Sequence, residues 1–360
     1  MPVLAIIGAT TWGATLGVTL AQKGHYVRLL ARTEDEARRM RANELYSLPL
    51  PSGKFPTRLT FTASSEKAMA DARAVVLVVP AQSMRRNIRH IARYVTPSML
   101  VVSASKGLEI ETGKRMTQII AEELPAACHR NICVLSGPNL AKEILEQHPA
   151  ATVVAADDLE IARAAQRLLS TPQLCVYTNT DVIGVELGGA LKNIIALAAG
   201  MADGLGFGDN AKAALMTRGW AEITALGMAL GANPLTFSGL AGLGDLLATC
   251  ASPLSRNHYV GMEIARGRKL ADITDEMDNV AEGAGTTMAA WKLAQRLGLG
   301  MPITEKIYRV LYEGLEPRQV ALDLLNAETH HELEGRKWRL LTAVRKRNGT
   351  RKSPDICGTE

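Results

Sequence analysis

Short apolar runs alternate with amphipathic stretches through the first half of the chain. Val3-Leu4-Ala5-Ile6-Ile7 reads as a strand, 8–13 as a turn, 14–23 as a helix that Gly24 stops, and Tyr26-Val27-Arg28-Leu29-Leu30 as a second strand. Strand-like runs recur at 59–61, 74–79, 100–103, 132–135, 152–155 and 174–177, with helical spacing at 34–43, 82–93, 113–123, 142–146 and 159–169 between them. Such alternation predicts a mostly parallel sheet covered on both faces. From about 181 to about 334 the apolar residues follow helical spacing and strand-length β-branched runs vanish, which predicts a second, all-helical domain. Its first helix, from near 180 to near 201, is rich in Gly and Ala and suited to close wrapping by neighbours. The last stretch carries Arg336, Lys337, Arg339, Arg345, Lys346, Arg347, Arg351 and Lys352 with no acidic residue until Asp355. It reads as a solvated terminal tail, with loose attraction to anionic lipid as the weaker alternative.

The opening turn, Gly8-Ala9-Thr10-Thr11-Trp12-Gly13, has the strand-turn-helix context of a dinucleotide-binding unit. Gly8 permits the tight turn and Gly13 close packing of helix on strand, while amides at the helix start face a pyrophosphate. Thr10 stands where the middle glycine of such loops lets a pyrophosphate approach, so cofactor affinity is expected to suffer. After the second strand comes Arg32, where an NAD enzyme usually has a carboxylate for the ribose hydroxyls. A guanidinium suits a 2′-phosphate, so NADP(H) is expected over NAD(H), which stays possible. The bland reading is a βαβ unit whose glycines serve only the fold. The expected class is α/β: an N-terminal Rossmann-type, doubly wound, mostly parallel sheet at 1–180, then an all-helical domain at 181–334 and a basic tail at 335–360.

Composition narrows the function. With 360 residues, 47% hydrophobic and 21% charged, the chain is long enough for two buried cores. A net charge of +5 fits anionic small molecules, and aromatics at 4% argue against stacking platforms for nucleic acid. Cys128, Cys133, Cys175, Cys250 and Cys357 lack paired zinc spacing and read as reduced thiols, and His330-His331 has no third ligand nearby, so no metal is expected. No signal-peptide pattern and no stretch able to span a bilayer is read, so a cytoplasmic protein is expected.

Four further clusters carry chemistry. Ser103-Ala104-Ser105-Lys106-Gly107-Leu108-Glu109 runs from a strand into a Lys-Gly turn, and Leu135-Ser136-Gly137-Pro138-Asn139-Leu140-Ala141 is a strand-to-helix turn with free amides. Leu191-Lys192-Asn193 places two polar groups inside an apolar helix, and Gly242-Leu243-Gly244-Asp245 is followed by Ser255-Arg256-Asn257. Desolvation of a lysine lowers its pKa toward values useful for proton transfer, whereas a snorkelling lysine simply reaches water. An aspartate close to Lys192 decides for the first; Asp245 elsewhere only caps a helix. Ser255-Arg256-Asn257 offers a hydroxyl, a guanidinium fork and an amide for a phosphate, although Ser and Asn also start helices routinely.

Together these residues resemble the bacterial NAD(P)-dependent glycerol-3-phosphate dehydrogenases from Gly8 to about Leu325, through Trp12-Gly13, 105–109, 135–138, 191–193, 242–245, 255–257 and Glu282-Gly283. The resemblance implies reversible NAD(P)H-dependent reduction of dihydroxyacetone phosphate to sn-glycerol 3-phosphate, feeding phospholipid synthesis. It implies cofactor contacts from Thr11, Trp12, Arg32, Lys106, Ala141, Arg256, Val280 and Glu282. Substrate contacts are implied for Lys106, Gly137, Asn139, Lys192, Asp245, Ser255, Arg256 and Asn257, with Lys192 the proton donor and acceptor. Three departures stand out: Thr10 replaces a usual glycine, Asn139 a common serine, and His258 a typical arginine. No nucleic-acid partner is implied, and a homodimer is left open. Two alternatives remain, another NADP-dependent reductase of small oxo-acids with the same two-domain layout and a non-catalytic nucleotide-sensing protein.

Overall fold

The computed structural model describes residues 1–277 and 280–325. Its first half alternates strand and helix: β1 (Val3–Ile7), α1 (Thr11–Gln22), β2 (Tyr26–Leu30), α2 (Glu34–Arg41), β3 (Leu59–Thr62), α3 (Ser65–Met69), β4 (Ala72–Leu77), α4 (Met84–Ile91), β5 (Leu100–Ser103), α5 (Met116–Glu123), β6 (Ile132–Ser136), α6 (Ala141–Leu145), β7 (Ala150–Ala155), α7 (Leu159–Leu169) and β8 (Leu174–Asn179). The eight strands form one sheet in the order β3-β2-β1-β4-β5-β6-β7-β8. All neighbours pair in parallel except β6 with β7. Burial follows the two-residue period of a strand: Leu4 and Ile6 of β1 pack into one core layer, Ala5 and Ile7 into the layer on the opposite face. This is the doubly wound arrangement expected from the sequence, with the strand order reversing between β1 and β4, where such sheets open a ligand crevice.

Local chemistry explains where the elements depart from the sequence pattern. Helix α1 begins at Thr11, ahead of the expected position 14, because the Thr10 hydroxyl caps it by accepting from Gly13 N at 3.0 Å. The expected helix over 82–93 is a four-turn segment in three pieces, with 3₁₀ turns at Ala81–Ser83 and Ala92–Tyr94 flanking α4.

The second half is helical among the described residues: α8 (Val182–Gly204), α9 (Asp209–Ala229), α10 (Pro234–Phe237), α11 (Asp245–Ala251), α12 (Arg256–Ala265), α13 (Leu270–Asp275), α14 (Glu282–Leu297), α15 (Pro302–Glu313) and α16 (Pro317–Leu325). Helix α8 is the axis of this half, with 20 of its 23 residues buried. It corrects one expectation. This stretch is long and apolar enough to cross a membrane, but it serves as a core helix whose apolar surface is covered by protein. Its glycines allow that wrapping: a Cβ at Gly188 would lie 2.7 Å from the carbonyl oxygen of Ala241. His330, His331, Cys357 and the basic tail lie outside the described residues.

Candidate active site

The ends of β1, β2, β5 and β6 lead into the segments that carry Gly8, Arg32, Lys106 and Gly137, so the sheet presents these groups along one edge. At β1 the backbone turns through Gly8 at φ +120°, and a Cβ there would come within 2.4 Å of Val78 O. Gly13 in the first turn of α1 packs against the same loop, its hypothetical Cβ 2.3 Å from Gly8 O. Thr10 faces inward, its hydroxyl donating to Val78 O at 3.2 Å while it caps α1. The side chain that displaces the usual glycine therefore helps to hold the turn, and it occupies the Gly13 amide. Thr11 and Trp12 begin α1, whose leading N–H groups have no partner within the helix and carry its positive dipole end. A pyrophosphate fits this cradle.

Arg32 follows β2 and projects to solvent, its side chain 82% exposed. Its Nε and Nη2 donate to Glu36 Oε1 at 3.0 and 2.6 Å, and its backbone N–H donates to Glu36 Oε2 at 2.6 Å. Glu36, in the first turn of α2, thus holds the guanidinium just beyond the end of β2.

The centre of the site is a carboxylate shared by two ammonium groups. Lys192, in the middle of α8 and only 6% exposed, donates to Asp245 Oδ1 at 2.9 Å and to the Thr249 hydroxyl. Lys106, beyond β5, donates to Asp245 Oδ2 at 2.7 Å and to Gly137 O at 2.8 Å. Asp245 opens α11 and is 2% exposed, so it both starts a helix and compensates one buried and one partly buried cation. Lys192 is not a snorkelling lysine. Burial pulls the Lys106 ammonium down to about 8, against the opposing attraction of Asp245, and the Lys192 charge adds to the fall.

Two buried polar atoms beside this cluster have no hydrogen-bond partner among the described residues, Ser136 Oγ and Asn139 Oδ1. Asn139 is held from its other end, where Nδ2 donates to Thr152 Oγ1 at 3.2 Å. An unsatisfied buried carbonyl is costly, and a ligand hydroxyl would satisfy it.

The third group gathers the helix starts. Ser255 caps α12 by accepting from His258 N at 3.2 Å. Asn257 Nδ2 donates to Asn193 Oδ1 at 2.9 Å, and Asn257 Oδ1 accepts from Gly283 N at 2.9 Å, so α8, α12 and α14 are stitched together. Arg256 lies within electrostatic range of Glu282 and of Tyr46. Glu282 opens α14 and accepts from Ala81 N, in the loop after β4, at 2.9 Å. Burial pushes its carboxyl up to about 7, against that amide and the Arg256 charge. Val280 precedes it and is exposed, and Ala141 begins α6.

The structure thus joins Lys106, Gly137, Lys192 and Asp245 in one hydrogen-bonded cluster and Asn257 with Asn193 in a second, while among the described residues Arg32 bonds only to its own neighbour Glu36. Sequence reasoning missed Thr249, one helical turn after Asp245; the i, i+4 spacing was its only signal. It also missed Tyr46, whose hydroxyl donates to Ala9 O at 2.7 Å over the glycine turn and which carries no motif.

Both halves of the chain are similar to known proteins. Residues 3–162 match the family model described as the NAD-dependent glycerol-3-phosphate dehydrogenase N-terminus, and residues 181–322 match that of the C-terminus. A protein of Dehalococcoides mccartyi strain 195 named glycerol-3-phosphate dehydrogenase [NAD(P)+] is 57% identical over 357 residues, 99% of either chain. One of the same name from Geobacter metallireducens is 48% identical over 329 residues, 91% of this chain and 98% of its own. The crystal structure of glycerol-3-phosphate dehydrogenase from Coxiella burnetii superposes with a TM-score of 0.85 at 32% identity, over 90% of this chain and 99% of that one. On the strength of both halves, this chain belongs to the NAD-dependent glycerol-3-phosphate dehydrogenase family.

Proposed function

We propose that this enzyme reduces dihydroxyacetone phosphate to sn-glycerol 3-phosphate, reversibly, with NADPH preferred over NADH. The observation that carries the reading is Asp245 holding Lys192 and Lys106 together where the edge of the sheet meets α8. Residues 1–180 hold the dinucleotide and 181–334 the triose phosphate, with 335–360 a basic tail. The reaction belongs in the cytoplasm, at the entry to glycerophospholipid synthesis.

Gly8, Thr11, Trp12 and Gly13 supply the pyrophosphate cradle, Arg32 takes the 2′-phosphate, and Lys106, Ala141, Arg256, Val280 and Glu282 line the rest of the cofactor path. When bound, the reduced nicotinamide supplies the hydride that the carbonyl carbon accepts. Lys192 donates a proton to the carbonyl oxygen as negative charge develops on it, and takes it back in the reverse direction. Asp245 and Thr249 hold the Lys192 ammonium in place, while Lys106 adds positive charge whose attraction grows as the alkoxide forms. Ser255, Arg256 and Asn257 grip the phosphate, so the carbonyl is already oriented on binding. Gly137 and Asn139 meet the glycerol end, where the unsatisfied Asn139 Oδ1 accepts a substrate hydroxyl.

The deciding experiment follows NADPH and NADH consumption with dihydroxyacetone phosphate in the wild type and in Lys192→Ala. Wild-type turnover with both, and a loss of about 10²-fold or more in the variant, support the reading. Turnover in Lys192→Ala close to wild type removes the proton-transfer role.

A further inference from the structure

The proposed phosphate grip is a single turn at the start of α12, and its aim depends on what fastens that turn to α8. One fastening is the Asn257–Asn193 bond, beside Lys192. The other is further along α8, at the residue that directly follows the grip. The His258 ring is buried, and its Nε2 lies 2.7 Å from Asp203 Oδ2. From α9, Lys212 donates to the second oxygen, Asp203 Oδ1, at 3.0 Å, and itself pairs with Asp209 at 3.6 Å. Burial alone would push the Asp203 carboxyl up, but the bonds from His258 and Lys212 outweigh it and hold it below the usual range, so the carboxylate stays charged. The backbone of His258 is just as constrained. Its N–H donates to Ser255 Oγ, and its carbonyl oxygen would be 2.0 Å from a Cβ at Gly200.

We propose that His258, held by Asp203 and Lys212, is a positioning residue that fixes the Ser255-Arg256-Asn257 turn for the substrate phosphate. The inference rests on the reading of that turn as the phosphate grip. With fastenings at Asn193 and Asp203, ten residues or about 15 Å apart along α8, the turn can neither slide nor rotate against the helix that carries Lys192. Without the imidazole the Asn257–Asn193 bond is the side-chain fastening that remains between the turn and α8 among the described residues. A shift of about 1 Å in a positioning group is enough to cost binding geometry severely.

The test compares His258→Leu with wild type on dihydroxyacetone phosphate and on dihydroxyacetone, which lacks the phosphate. The expected result is a rise of about tenfold in KM for the phosphorylated substrate, with kcat and the KM for NADPH within about twofold and kcat/KM for dihydroxyacetone unchanged. Asp203→Asn should reproduce this, the double variant should be no worse than either single one, and His258→Arg, which still reaches the carboxylate, should restore KM to within about threefold. A wild-type KM in His258→Leu, an equal loss on both substrates, or additive effects in the double variant would overturn the proposal. If His258→Leu does not fold, Asp203→Asn decides on the same criteria. Arg256→Gln separates the two readings. If it discriminates no less well between the phosphorylated and unphosphorylated substrates, the grip itself is misassigned; if it does lose that discrimination while His258→Leu keeps it, only the positioning role fails.

Discussion

Lys192 and Asp245 stand 53 residues apart in the chain, yet their Nζ and Oδ1 atoms lie 2.9 Å apart in the interior. The same carboxylate holds Lys106 through its other oxygen, so one negative charge sets the position of two cations. Asp245→Asn leaves both ammonium groups without a counter-charge. A loss of about 10²-fold in kcat is expected together with a stability loss of about 3 kcal/mol, read from steady-state rates and denaturant unfolding. An active, fully stable variant would show that the carboxylate is dispensable.

The Lys106 ammonium, brought down to about 8 by burial, should give the reaction a pH limb. Below pH 8 the group is charged and supports the developing alkoxide; above it the neutral amine cannot. Reduction measured as kcat/KM should therefore fall as pH rises through about 8, by at most tenfold per pH unit. In Lys106→Met the rate should be low and this limb absent. The same limb in that variant would assign it to another group.

Arg32 is exposed and held by Glu36, so its replacement should test cofactor choice without disturbing the core. Arg32→Asp should lower the NADPH to NADH ratio of kcat/KM by about 10- to 100-fold, the worth of a charge-assisted contact to phosphate. An unchanged ratio would mean that this guanidinium does not meet the 2′-phosphate.

Gly188 lets the turn at Leu240–Gly244 lie against α8, and Asp245 follows that turn directly. A methyl group at 188 must push it away. Gly188→Ala is expected to cost about 1–3 kcal/mol from overpacking and to lower kcat by about 10²-fold through the displaced carboxylate. A fall in Tm with kcat intact would uncouple the turn from the chemistry.

Much of the architecture was legible because burial imposes a period on the sequence. Strands β2 and β5 fall at 26–30 and 100–103 as their apolar runs indicate, and the change of period near 181 marks where strands cease among the described residues. What local pattern could not give was set by partners distant in sequence. The start of α1 depends on the Thr10 hydroxyl, and the character of the 182–204 helix on the protein packed round it. Lys192 stood out as a cation in an apolar helix with Asp245 as its candidate companion, but only the folded chain brings Thr249 and Lys106 to the same carboxylate. Tyr46 was invisible for the same reason, since only the folded chain brings it over Ala9.

The reversal at β7 has a mechanical consequence. Because β7 and β8 run against β6, Asn179 ends level with Ala155 and Val134, and so with Ser103, Leu77 and Ile7 at the ends of β5, β4 and β1. Helix α8 is rooted there, with Val182 and Val185 packed on Val134, and it climbs past Ser136 at Gly189 before reaching Lys192. The amine is thus mounted on a mast stepped into the rim of the nucleotide half, two residues beyond the last strand. Asn257 ties the starts of α12 and α14 to the same mast, so Arg256 and Glu282 keep station with Lys192.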